Sequence, residues 1–146
     1  MALVSITGKL KNTDKAFIFE YVQELQKELK INRLYSRIIR ISFKDKRLAK
    51  EGVYGYCYGN DRLVDIEICR TQSWEEQLQT LAHEMVHAKQ FFRKELIDGY
   101  IYKGRNYWKC EYEHQPWEKS AHAKEEKLFQ KCNKKVTQLL HKSVDK

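Results

Sequence analysis

The stretch LAHEMVHAKQ, residues 81–90, sets two imidazoles and a carboxylate within five positions: His83, Glu84 and His87. Residues four apart on a helix share a face and are separated by about 5–6 Å along the axis, so His83 and His87 can turn ring nitrogens toward one metal ion. Glu84 is rotated about 100° from His83, too far round to be a third ligand on that face and well placed to take a proton from water at the metal. The chemistry of such a trio is metal-assisted hydrolysis. Zinc suits imidazole donors, and a catalytic zinc takes three protein ligands with one position left open, so a third ligand must come from another part of the chain.

Downstream, HQPWEKSAHAKEEK, residues 114–127, offers Glu118 near a helix start and His122 one turn later, and either could face the metal. With HEMVH and PWEKSA in view, the chain resembles the small single-domain zincin metallopeptidases, minigluzincin-like and more distantly SprT-like. In these a helix carrying HExxH is followed by a hairpin and a second helix that begins near Pro-Trp-Glu. The resemblance implies a zincin-like fold over most of the chain, zinc as cofactor and cleavage of peptide bonds in a peptide or protein substrate. It implies His83 and His87 as ligands, Glu84 as general base, Glu118 as a carboxylate ligand and His122 as a ring braced against a ligand. SprT-like proteins proper use a third histidine, which leaves His122 open as the alternative third ligand. The chain departs from the pattern at Ser120, where these relatives often carry an acid, and in lacking the cysteine ribbon of longer SprT-like proteins. A second donor to the developing oxyanion is expected from His114 or from one of Tyr100, Tyr102, Tyr107 and Tyr112. In zincins of this kind the strand before the motif helix receives substrate as an added strand, and LVDIEI has the half-polar character of such an edge.

These residues need a scaffold, and the pattern of apolar positions supplies one. Ile18, Val22, Leu25 and Leu29 mark one stripe of a first helix over residues 13–30. RIIRISFK from Arg37, VYGYCYG from Val53 and LVDIEI over Leu63–Ile68 read as three strands, the last with Asp65 and Glu67 opposite Val64, Ile66 and Ile68. Ser73 and Glu76 stand at capping-box spacing and open the motif helix, whose apolar stripe is Leu78, Leu81, Ala82, Met85 and Phe92; the two histidines are expected on an adjacent, solvent-side strip. DGYIYKGRNYW reads as a hairpin turning at Lys103 and Gly104, and after Pro116 a last helix is marked by Leu128, Cys132, Val136 and Leu139. The expected fold is α+β: helix, small three-stranded sheet, motif helix, hairpin and C-terminal helix, in a single domain over residues 1–146.

Composition bounds the rest. A chain of 146 residues with 42% hydrophobic and 33% charged residues has the size and balance of one globular domain. It holds no apolar run of membrane-spanning length, so no membrane partner is expected. MALVSITGKLKNTDK lacks a long apolar core and a cleavage site, so a cytoplasmic setting is expected. Cys57, Cys69, Cys110 and Cys132 are far apart and read as reduced thiols. The net charge of +8 is concentrated toward the ends: residues 9–50 hold twelve basic against five acidic residues, and residues 119–146 eight against three. Such termini could draw nucleic acid weakly, although no nucleic-acid motif is present. Two other readings follow: a nucleic-acid-associated SprT-like module, and a latent or non-catalytic zinc domain. Oligomeric state is not legible.

Overall fold

The computed structural model describes residues 1–45 and 54–144. In chain order it contains β1 (Leu3–Thr7), α1 (Asn12–Glu28), β2 (Ile38–Lys44), β3 (Gly55–Gly59), β4 (Leu63–Cys69) and α2 (Trp74–Phe92). Three two-residue strands follow, β5 (Leu96–Ile97), β6 (Ile101–Tyr102) and β7 (Arg105–Asn106), then a 3-10 turn at Tyr112–His114 and α3 (Pro116–Val144). The architecture is α+β, as the pattern predicts.

The main sheet has four strands in the order β1-β2-β4-β3, with β1, β2 and β4 parallel and β3 antiparallel to β4. Two expectations change here. LVSIT, expected only as an apolar patch, is a fourth strand: Val4 and Ile6 are half-buried while Leu3, Ser5 and Thr7 are exposed. LVDIEI is not an edge. As β4 it lies between β2 and β3, and its acids face the open side of the sheet, where Arg40 of β2 donates to both oxygens of Asp65 at 2.6 and 2.9 Å. Period-two alternation reports a face open to water and carries no information about which strand ends the sheet. The edge beside α2 is β3. Its expected start at Val53 lies outside the described residues, and the strand begins at Gly55.

The closed face of the sheet sets Ile39, Ile41, Phe43, Val64, Ile66 and Ile68 against Leu78, Leu81, Ala82 and Met85 of α2, all buried. The α1 stripe of Ile18, Val22, Leu25 and Leu29 joins this core as its spacing predicts, and the Tyr21 hydroxyl donates to the Leu78 carbonyl at 2.7 Å, tying α1 to α2. The capping box of Ser73 and Glu76 is formed. Every residue from 81 to 92 except Lys89 is buried, because the sheet covers one side of α2 and α3 covers another. The expected solvent-side strip is therefore absent: His83 and His87 are 9% and 4% exposed.

In the hairpin, Lys103 and Gly104 both have positive φ, 50° and 83°, as a two-residue turn with the sheet's own twist requires. β5 adds a third short strand beside β6. Pro116 opens α3 and Trp117 buries beside it, packed against Tyr102 and Tyr107 at ring distances of 6.0 and 5.9 Å. Further along α3, Cys132 and Val136 are buried and Leu128 half-buried, but Leu139, expected on the same stripe, is exposed. Among the described residues no helix is long and apolar enough to cross a membrane.

Candidate metal centre

Helix α2 brings His83 and His87 together one turn apart, and α3 lays Glu118 against both. His83 Nε2 lies 2.9 Å from Glu118 Oε1, His87 Nε2 lies 3.0 Å from the same oxygen, and the two ring nitrogens are 3.3 Å apart. Two donors each about 2.0–2.1 Å from one zinc ion in a tetrahedral shell stand about 3.3 Å apart, so the triangle has the span of a metal's donor set.

The proton inventory points the same way. The buried Gln90 amide donates through Nε2 to the Trp117 carbonyl at 3.1 Å, which turns its Oε1 toward His87 Nδ1 at 2.8 Å. An amide oxygen only accepts, so His87 Nδ1 carries hydrogen and, in the neutral ring, the Nε2 lone pair faces the cluster. That lone pair meets a carboxylate oxygen and a second imidazole nitrogen. Such a convergence can be satisfied by a proton or by a metal cation. Without a metal a proton takes the part: burial alone would lower the His87 pKa, but the hydrogen bond that the ring donates to Glu118 and the charges of Glu84 and Glu118 outweigh it and raise it to about 9. Burial opposes ionisation of Glu118 too, yet the hydrogen bonds from His83 and His87 hold its carboxyl well below the usual carboxylate range.

Glu84 is only 4% exposed and points from α2 toward β3. Burial pushes its carboxyl up to about 6, against the pull of His87 and His83. A Cβ on Gly55 would meet Glu84 Cγ at 3.2 Å and run into Thr80, so the glycine lets the edge strand approach the carboxylate. His83, Glu84 and His87 also form a group whose donor atoms could share one ion.

The cluster lies on the wall of a cleft of about 920 Å³ between β3, α2, the short hairpin and α3. Tyr100, Tyr107 and Tyr112 line it; Tyr102 does not, since it is buried on Trp117. The Tyr112 hydroxyl donates to Glu118 Oε1 at 3.0 Å. His114 shares the 3-10 turn with Tyr112 but is exposed beside Glu111 and Glu113, outside the cleft wall, so the structure does not bring it to the cluster. His122 is exposed and hydrogen-bonds Glu125 and Tyr112, while Glu118 occupies the position between the two motif histidines.

Sequence reasoning missed Gln90, Glu125 and Gly55. The first two carry a legible signal: His83, His87 and Gln90 stand at i, i+4 and i+7 on α2, and Glu118, His122 and Glu125 repeat that spacing on α3. Gly55 carries none, because its role depends on how closely a strand distant in sequence approaches α2. Comparison with known proteins assigns no family to this site: no family model matches the chain, and no curated protein matches it.

Proposed function

We propose that the chain is a zinc-dependent peptidase of zincin type, minigluzincin-like in its third ligand, with His83, His87 and Glu118 holding the metal and Glu84 acting as general base. The observation that carries this reading is the meeting of three donor atoms within 3.3 Å of one another, beside a buried carboxyl, on the wall of an open cleft. Zinc in such a site supplies Lewis-acid chemistry, acidifying water and polarising a carbonyl oxygen. Glu84 takes the proton of the attacking water and returns it to the leaving nitrogen. Its pKa, raised by burial to about 6, leaves it ionised at neutral pH while keeping it basic enough to accept that proton. Tyr112 is the hydroxyl within reach of the developing oxyanion, and β3, in place of β4, is the edge that an extended peptide would join.

Incubation of the zinc-loaded chain with an unfolded protein such as casein tests the reading. Fragments are expected, and Glu84→Gln should keep zinc while losing at least about 10²- to 10⁴-fold in rate. Loss of zinc in that variant would make Glu84 a ligand. Zinc bound without cleavage in the parent would instead identify a non-catalytic zinc domain.

A further inference from the structure

The α3 stripe holds two groups that the proposed mechanism leaves idle. His122 lies against the His83 ring, with centroids 4.6 Å apart, but both its nitrogens are engaged elsewhere: Nδ1 is 2.8 Å from Glu125 Oε1 and Nε2 is 3.1 Å from the Tyr112 hydroxyl. We propose that His122 and Glu125 are positioning residues, not ligands, forming a hydrogen-bonded chain that aims the Tyr112 hydroxyl at the reacting oxygen and steadies His83 from behind.

An ionised Glu125 only accepts, so the neutral His122 ring carries its hydrogen on Nδ1 and turns the Nε2 lone pair to Tyr112. Tyr112 then has one proton and two acceptors, His122 Nε2 at 3.1 Å and Glu118 Oε1 at 3.0 Å. Rotation about its C–O bond redirects that proton without moving the ring. The hydroxyl is held in place yet free to turn toward an oxygen that gains charge beside Glu118. Glu125 Oε1 also lies 3.7 Å from His83 Nδ1, beyond hydrogen-bond length but on the side turned away from the cluster, where a ligating imidazole takes an outer acceptor. The donor atoms of His83, His122 and Glu125 are close enough to share an ion. A second ion there would strip the last N–H proton from a His83 that already uses Nε2, whereas the hydrogen-bonded chain needs no such ionisation.

The inference rests on the peptidase reading only for its kinetic arm. Nitrogen-15 NMR of the His122 side chain, recorded above the imidazole titration range, should find hydrogen on Nδ1 in the parent and in Glu125→Gln, which keeps an acceptor oxygen. In Glu125→Leu it should move to Nε2, where the Tyr112 oxygen accepts it. Zinc stoichiometry should stay at one per chain in all three proteins, with affinity about 10- to 100-fold weaker in Glu125→Leu. Tyr112→Phe should lower kcat about 100-fold with KM little changed, and His122→Leu should add nothing once Tyr112 is gone, because it acts through that hydroxyl. An Nδ1 hydrogen that persists in Glu125→Leu, a second zinc lost in that variant, or additive costs of His122→Leu and Tyr112→Phe would each overturn the inference. The tautomer and metal arms decide it even for a chain that hydrolyses no peptide.

Discussion

At His87 each ring nitrogen has one task, and the pH behaviour of the site follows. Gln90 holds hydrogen on Nδ1, and Nε2 is left for a proton or, in the proposed centre, a metal. Because the metal-free ring keeps its proton up to about pH 9, a metal must displace it. Zinc affinity should therefore rise about tenfold per pH unit from 7 to 9, as competition titrations would measure; a flat profile would mean that the ring is already bare. The same proton affects stability. His87, raised from an ordinary value of 6.5, adds stability to the metal-free fold that is full below pH 6.5 and lost as pH rises through about 9. Glu118, lowered from 4.5, adds stability present above pH 4.5 and lost as pH falls further. Glu84, raised from 4.5 to about 6, adds stability that is full below pH 4.5 and lost as pH rises through about 6, since ionising it costs more in the folded chain, and so draws the optimum toward the acid side. Metal-free Tm should peak between about pH 4.5 and 6.5, and a maximum near pH 9 would contradict the pairing. With zinc bound, cleavage should fall in acid, as Glu84, whose carboxyl burial pushes up, takes up a proton. Of the two candidates on α3, Glu118→Ala should release zinc while His122→Ala only weakens its binding.

The elements were legible where one surface decides a residue's fate and illegible where two do. The α1 stripe, the β2 and β4 alternations and the Ser73 capping box depend on local spacing and appear as expected. Helix α2 departs from its own pattern because it is covered by the sheet and by α3, so histidines that look solvent-facing in sequence end up buried. β1 is too short for its five residues to distinguish a strand from an apolar patch, and the edge position passed from β4 to β3 because edges are set by pairing order, which the sequence does not carry. Glu118 and His122 were both readable as candidates, and only the facing of α3 on α2 shows that Glu118 is the one that meets both motif histidines. Two element-level tests follow. Gln90→Leu should leave the fold in place and weaken zinc binding about 10- to 100-fold, because His87 loses the partner that fixes its tautomer. Gly55→Ala should cost activity by pressing β3 away from Thr80 and Glu84, without removing any ligand. Unchanged turnover in Gly55→Ala would show that this close approach is not needed.

Across the whole molecule the proposed metal centre is a clasp between α2 and α3, which also meet where the Gln90 amide donates to the Trp117 carbonyl. Part of the basic excess of α3 is engaged with α1, through Lys131 to Glu28 at 3.0 Å and Lys135 to Glu24 at 3.5 Å, so formal charge overstates the free basic surface. Zinc joining the two helices should stabilise the chain by about 2.7 kcal/mol at a free concentration one hundred times its Kd, seen as a rise in Tm. The most direct test of the central claim is zinc-edge X-ray absorption on the chain purified without added metal, with elemental analysis of the same sample. One zinc per chain, with two imidazole nitrogens and oxygen donors at about 2.0–2.2 Å, is the expected result. Three imidazoles in the shell would replace Glu118 with His122, and a chain that retains no zinc while His83 and His87 are intact would contradict the account.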